Sequence, residues 1–173
     1  MRGRVIRWAL PLVLIAVASA GAAMAAMAMQ HASGTVRSAT NSKFGPILVA
    51  ANGHTLYRFT VDGKGVNRCS AVTACNKSWP ALLVKAGAKP TAGAGVSAAL
   101  VGTMKAANGM MQVTYAGFPL YYYAGDTKAG QVNGQAFQSK WYVVNAKGAL
   151  VKKPVSSGSG GAGGGGGGGG AWG

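Results

Sequence analysis

Alternating apolar and polar positions, interrupted by Asn-Gly and Ala-Gly pairs, predict short β-strands along the middle of the chain. The run Ile47 to Ala51 leads into Asn52-Gly53 and then into Thr55 to Thr60. Asn-Gly between apolar runs favours a hairpin with a type I′ turn, which needs positive φ at both central residues. After residue 30, no stretch keeps helical periodicity over three turns, and only one short turn is predicted, at 97–100.

The same pattern recurs towards the C-terminus and predicts further hairpins. Residues 101–106 and 110–115 flank Asn108-Gly109, and Ala116-Gly117 turns the chain into residues 118–123. A last hairpin is predicted between residues 141–144 and 149–151. The pattern therefore predicts an all-β fold.

One motif occurs twice. Leu56-Tyr57-Arg58-Phe59-Thr60-Val61-Asp62 recurs 64 positions later as Leu120-Tyr121-Tyr122-Tyr123-Ala124-Gly125-Asp126. The same offset pairs Gly45 with Gly109, Val49 with Val113, Gly53 with Gly117 and Lys64 with Lys128. Trp79, which precedes Pro80, corresponds to Trp141 at an offset of 62, so the first copy carries a longer loop, which holds Cys69 and Cys75. We expect two tandem hairpin repeats, at about 45–84 and 109–151, in a small pseudo-symmetric sandwich or open barrel.

Alternation within the motif assigns its side chains to two faces. Tyr57 and Phe59 share one face, opposite Leu56 and Arg58. In the second copy Tyr121 and Tyr123 lie opposite Leu120 and Tyr122. Core and cross-strand packing is the simpler interpretation of these aromatic residues, and a ligand-stacking platform is the alternative.

The two ends of the chain differ from the middle. Residues 1–30 read as an export signal helix, with basic residues before an apolar run and small-residue cleavage options after it. An uncleaved membrane anchor is the alternative, and contact with a membrane through this segment is predicted only in that case. Residues 31–43 are predicted to be flexible, 44–154 to form the domain, and the Gly-rich tail 155–173 to be disordered.

Charge adds a hypothesis about the surroundings. The chain has 17 Lys and Arg residues but only two acidic residues, Asp62 and Asp126, for a net charge of +15. Export argues against nucleic acid as a partner, so anionic envelope polymers or lipid headgroups are the predicted partners. Because acid unfolding arises largely from the protonation of native carboxylates, so few carboxylates suggest a protein adapted to acidic surroundings.

Cysteine, histidine and methionine side chains raise the question of a metal. Cys69 and Cys75 are expected to form a disulfide in an oxidising compartment, and no cofactor is predicted. A copper-binding or redox-associated protein is the alternative, with soft ligands from His54, Met104, Met110 and Met111. Against this, His54 lies beside a turn, where we expect it to be exposed, and Met is an ordinary core residue.

Motifs spread over residues 45–148 resemble the bacterial secreted-repeat lipoproteins that carry a Tyr-x4-Asp motif. They are Leu-Tyr-x-Phe/Tyr-x-x-Asp, the Cys pair, Trp79-Pro80-x-Leu82, Gly93-x-Gly95-Val96, the segment from Gln112 to Tyr121, Gly125-Asp126 and Trp141-Tyr142-Val143-Val144. The resemblance implies export, tandem repeats and a cell-envelope location, but no reaction. This chain lacks the cysteine that many members carry for lipid attachment.

Asp62 and Asp126 are the candidates for chemistry. Asp at a strand exit commonly accepts hydrogen bonds from N–H groups two residues on, which favours a structural role. If the repeats brought the two carboxylates together, they could instead serve a hydrolase or hold a cation. The sequence favours a non-enzymatic binding or structural module of the envelope or the medium.

Overall fold

The computed structural model describes residues 34–106 and 109–154. The predicted signal segment and Gly-rich tail lie outside the described residues. The strands are β1 Val36–Asn41, β2 Gly45–Ala50, β3 Tyr57–Phe59, β4 Leu83–Val84, β5 Val101–Lys105, β6 Met111–Tyr115, β7 Phe118–Pro119 and β8 Trp141–Val143. One short helix, α1, spans Thr73–Ser78, and 3-10 turns span Ala98–Leu100 and Phe137–Ser139.

All of the paired strands are antiparallel, and they form small sheets that do not close into a barrel. β1 pairs with β2, and β3 pairs with β8. β6 pairs with β5 along one edge and with β4 and then β7 along the other. The predicted all-β fold is confirmed.

The two hairpin turns of the repeats differ by one residue. Ala116 and Gly117 have φ of 51° and 84°, as a two-residue type I′ turn requires. In the first copy Val49 faces Thr55, and Gly53 has a φ of 81° while Asn52 stays outside the positive region. The hairpin predicted there is present, but the predicted type I′ turn at Asn52-Gly53 is wrong, because three loop residues allow an ordinary turn closed by a left-handed Gly.

Strand β1 lies in the segment 31–43, which was predicted to be flexible. Its residues pair with β2 from Val36 opposite Ala50 to Asn41 opposite Gly45, and Val36 is fully buried. The small polar residues of β1 concealed a strand that pairs with β2 along one edge and hydrogen-bonds to the backbone of residues 91–94 along the other. The domain therefore begins before residue 44.

Helix α1 was also not predicted. It lies in the longer loop of the first repeat, buries none of its own residues and spans less than two turns. A helix this short has no periodic apolar face from which a sequence pattern could identify it.

The extra turn residue changes how the repeats correspond. Val36 faces Ala50 in the first copy and Val101 faces Tyr115 in the second, so the offset before the turn is 65. After the turn it is 64. The predicted matches of Gly45 with Gly109 and of Val49 with Val113, both before the turn, are therefore wrong. Val113 corresponds to Leu48, and the two occupy the same core cluster.

The two copies exchange strands. The backbone N–H groups of Tyr57 and Tyr121 each donate to the other's carbonyl, at 2.9 and 3.1 Å. Beyond this point the first motif strand, β3, pairs with β8 of the second copy, and Tyr122 of the second motif donates its N–H to the Pro80 carbonyl of the first copy. The two repeats therefore form one interlocked unit.

Two core clusters lie on opposite faces of the motif strands, as the alternation predicts. Leu56, Leu120 and Tyr122 belong to an aliphatic cluster with residues such as Leu48 and Val113. Residues of the other face form an aromatic cluster, whose members include Tyr57, Phe59, Trp79, Tyr121, Tyr123 and Trp141.

Candidate functional site

Both carboxylates of the chain are buried and bonded to a tyrosine of the opposite repeat. The Tyr57 hydroxyl donates to Asp126 Oδ2 at 2.6 Å, and the Tyr121 hydroxyl donates to Asp62 Oδ2 at 2.7 Å. Asp62 and Asp126 retain only 8% and 3% of their exposure. We call these two bonds the crossed Tyr–Asp pairs.

The second oxygen of each carboxylate holds the loop that follows its own motif. Asp62 Oδ1 accepts the Arg68 N–H and Asp126 Oδ1 accepts the Asn133 N–H, both at 2.8 Å. The predicted loop-fixing role is present, but the amide donors lie six and seven residues on rather than two. Each carboxylate thus joins its own loop to the other repeat.

Gly134 allows the loop to approach the first pair closely. A Cβ at this position would lie 2.8 Å from the Trp79 ring. The Gly134 N–H also donates to the Tyr57 hydroxyl at 3.3 Å, so that hydroxyl both donates and accepts.

Burial changes the proton affinities of these groups. Desolvation raises the pKa of Asp62, although the hydrogen bonds from Tyr121 and Arg68 oppose this shift. Desolvation also raises the pKa of Tyr57 and of Tyr121 far above 10, and the bonded carboxylates reinforce this. Both phenols therefore remain protonated donors over the whole acidic and neutral range.

The two motif tryptophans stack on each other between the repeats. The rings of Trp79 and Trp141 lie 3.8 Å apart with planes 1° from parallel, and Phe59 stacks on Trp141 at 4.4 Å. Tyr57 meets Trp79 edge to face, and Tyr121 meets Trp141 in the same way. The aromatic motif residues are therefore packed mainly against one another, which agrees with a core role.

Cys69 and Cys75 form the predicted disulfide, which joins the residues before α1 to Cys75 within the helix. With both sulfurs bonded to each other, neither is a thiolate ligand for a metal.

The structure separates two of the candidate copper ligands, Met104 and Met111. Met104 lies opposite Gln112 and Met111 lies opposite Lys105 in the β5–β6 pairing. Because successive residues of a strand face opposite sides, Met104 and Met111 lie on opposite faces, and Met111 packs on the aliphatic cluster.

His54 is buried, contrary to expectation, with its ring edge-on to Tyr122 at 6.5 Å between ring centres. Met110 is partly buried beside the β5–β6 turn. Among residues 34–106 and 109–154, no group of three His, Cys, Asp or Glu side chains could hold a metal ion. Within the same ranges, no helix is long and apolar enough to cross a bilayer.

One surface pocket, of about 480 Å³, lies beside the first repeat's loop. Asn67, Asn76, Ser70 and Lys105 line it, and Gln112 forms part of its wall. Gln112 is fully buried, accepting from Asn67 at 2.6 Å and donating to the Leu120 carbonyl at 3.0 Å. The amides at the base of this pocket are thus bonded to each other and to the backbone.

A second pocket, of about 380 Å³, lies against the aromatic cluster. We call it the aromatic pocket, and its walls include Phe59, Trp79, Trp141, Phe137, Arg68 and Lys140. Phe137 is exposed, and so is Val72 at the rim.

Backbone strain is concentrated at one wall of the aromatic pocket. Ala136, Gln138 and Ser139 have φ of 58°, 50° and 56°. Left-handed backbone costs a non-glycine residue about 1–2 kcal/mol, so this segment is held by its surroundings. Gln135 holds one end, accepting from the Val143 N–H at 2.9 Å and donating to the Val151 carbonyl at 2.6 Å.

The sequence carried a signal for the crossed Tyr–Asp pairs that the prediction did not use. A buried tyrosine usually requires a partner for its hydroxyl, and the chain offers only two side-chain carboxylates, each a fixed distance after a motif tyrosine. In the resulting geometry each carboxylate bonds to its own phenol and its own backbone amide. The two carboxylates do not bond to each other.

The repeats correspond to a known family. The model of a lipoprotein family described as a secreted repeat of unknown function matches residues 38–83 and 102–145. Together these two matches cover more than half of the chain. No curated protein and no solved structure matches the chain significantly. The chain therefore belongs to this family of secreted repeats, as its duplicated motif predicted.

Proposed function

We propose that this exported protein is a non-enzymatic module that works in acidic surroundings and binds anionic polymers of the cell envelope through its surface charge. The observation that carries the proposal is the use of both carboxylates in the crossed Tyr–Asp pairs. Each carboxylate is buried and joins two parts of the fold.

The distribution of cations supports binding to polyanions. Of the fourteen Lys and Arg residues that follow Arg7, all except Arg37 and Arg58 are exposed. With Asp62 and Asp126 buried, no exposed carboxylate side chain is present to neutralise them. Such a surface attracts polyanions over several ångströms, because few negative charges on the protein offset its positive charge.

The same arrangement supports work at low pH. Lys and Arg keep their charge in acid, so the surface changes little as the pH falls. Burial raises the pKa of Asp62, so its protonation at low pH relieves a desolvation cost. With only two carboxylate side chains, the chain also lacks the many stabilising carboxylates whose protonation ordinarily unfolds a protein in acid.

Thermal unfolding between pH 2 and pH 7 tests the acid part of the proposal. We expect cooperative unfolding at a high temperature throughout this range. Loss of the fold between pH 4 and pH 2 at room temperature would contradict adaptation to acid.

Binding to long-chain polyphosphate, with neutral dextran as the control polymer, tests the charge part. We expect binding to polyphosphate at pH 3 and at pH 7, with an affinity that falls steeply as salt is added, because screening weakens exposed charges. Equal binding to dextran, or an affinity independent of salt, would overturn an electrostatic mechanism.

A further inference from the structure

We propose that the aromatic pocket binds a negatively charged sugar unit, such as a uronic acid, of an envelope polysaccharide. The proposal rests on the proposed function and names the chemical class of the polymer.

The walls of the pocket combine the two kinds of group that an acidic sugar requires. Phe59 and Phe137 offer aromatic surface on which the apolar C–H face of a sugar ring can pack. Arg68 and Lys140 are exposed cations on the same walls. A guanidinium binds a carboxylate through paired hydrogen bonds, whereas an ammonium acts as a point charge.

Neutral polar groups complete the lining. The side chains of Ser78 and Gln138 are hydroxyl and amide groups of the kind that bond sugar hydroxyls. The pocket, at about 380 Å³, falls in the lower part of the range of small-ligand sites and suits one or two sugar rings. No carboxylate lines it, so an acidic sugar meets no like charge there.

Two independent features distinguish this pocket from ordinary surface. Three left-handed residues, at 136, 138 and 139, bring Phe137 and Lys140 to its wall. Strain of this kind is concentrated at binding and catalytic sites, where a required geometry outweighs its cost. Val72 and Phe137 are also large apolar side chains that remain exposed at the same place.

The test is calorimetric titration of the full-length protein with a short oligogalacturonate at about pH 5, with the fully methyl-esterified oligomer as the neutral control. Two charge-matched double variants are compared, Arg68→Gln with Lys140→Gln in the pocket and Lys85→Gln with Lys89→Gln elsewhere on the surface. Circular dichroism confirms that each variant is folded.

We expect the pocket variant to lose about tenfold or more in affinity, as the loss of charge-assisted hydrogen bonds implies, and the surface variant to lose less than about threefold. Phe137→Ala should weaken binding of the same oligomer at unchanged charge. The methyl ester should bind at least about tenfold more weakly to the unaltered protein.

The contrary outcomes separate this proposal from the function on which it rests. Equal losses in the two double variants, or binding to polyphosphate without binding to oligogalacturonate, overturn the sugar site and leave the electrostatic function standing. The sugar site is likewise overturned if the pocket variant loses affinity for anionic lipid vesicles but keeps its affinity for oligogalacturonate. That result would indicate a lipid headgroup as the ligand. Failure to bind any polyanion overturns both.

Discussion

The hydroxyl of Tyr57 donates a hydrogen bond of 2.6 Å to Asp126, which lies 69 residues further along the chain and in the other repeat. The reciprocal bond from Tyr121 to Asp62 measures 2.7 Å. Each Tyr-x4-Asp motif is therefore completed by the other copy. This relationship gives a physical reason why a chain with almost no carboxylates keeps these two.

Replacing either motif tyrosine with phenylalanine should destabilise the protein. Tyr57→Phe and Tyr121→Phe each remove the phenol donor from a buried carboxylate, and we expect each to lower the free energy of unfolding by about 2–3 kcal/mol. Urea unfolding at pH 7 measures the change. Tyr57→Phe should cost somewhat more than Tyr121→Phe, because it also leaves the Gly134 N–H without its acceptor.

Tyr122 supplies the matched control. Among residues 34–106 and 109–154 its buried hydroxyl has no hydrogen-bond partner, and its side chain lies on the opposite face of the second motif strand from that of Tyr121. Tyr122→Phe should therefore leave the stability unchanged or increase it by up to about 2 kcal/mol, since an unsatisfied buried hydroxyl is removed. If Tyr57→Phe proved as harmless as Tyr122→Phe, the crossed bond would contribute nothing to stability.

Local features of the fold could be predicted from the sequence, because they depend on neighbouring residues. Alternation placed Leu56 and Tyr57 on opposite faces, and they do lie in different core clusters. The duplicated motif likewise identified the two repeats and the residues that surround the crossed Tyr–Asp pairs.

Relationships that depend on distant residues could not be predicted in this way. One additional residue in the first hairpin turn shifts the repeat correspondence, so Val49 and Val113 lie on different faces. The exchange of strands between repeats depends on pairing across about 64 residues, which no local pattern encodes. The aromatic pocket requires both repeats and was not predicted for the same reason.

Asp62 should make a contribution to the free energy of unfolding that increases as the pH falls. Its pKa in the folded protein is raised above the ordinary 3.8, so the native state takes up this proton before the unfolded state does. The free energy of unfolding should therefore rise as the pH falls through the native pKa, and level off below 3.8. Asp62→Asn should remove this contribution.

Urea unfolding of the unaltered protein and of Asp62→Asn, measured between pH 2.5 and pH 7, isolates the effect. The stability of the unaltered protein relative to the variant should increase towards low pH. A relative stability that decreases in acid would show that the hydrogen bonds to the carboxylate outweigh its desolvation.

Alkaline pH should unfold the protein through its buried tyrosines. Burial raises the pKa of Tyr57, Tyr121 and Tyr122 well above the ordinary 10.0. Their contribution is present below pH 10 and is lost at higher pH, because only the unfolded phenols ionise there. Each tyrosine should reduce the free energy of unfolding by about 1.4 kcal/mol per pH unit, or about 4 kcal/mol per unit for the three.

Urea titrations between pH 9.5 and pH 11.5 measure this slope. Tyr122→Phe should reduce it by about a third, as one of the three phenols is removed. An unchanged slope in this variant would mean that Tyr122 ionises equally in the folded and unfolded states.

Relief of backbone strain beside the aromatic pocket should stabilise the protein. Ala136 is exposed and has a φ of 58°, so Ala136→Gly removes an unfavourable Cβ without creating a cavity. The gain of about 1–2 kcal/mol is partly offset by the greater freedom of Gly in the unfolded chain, which leaves a net increase of about 0.5–1 kcal/mol.

Ala86, which is exposed and lacks a positive φ, supplies the control. Ala86→Gly should lower the stability by up to about 1 kcal/mol in the same urea titration. Equal losses in the two variants would contradict the strain at Ala136, because only a left-handed residue gains from losing its Cβ.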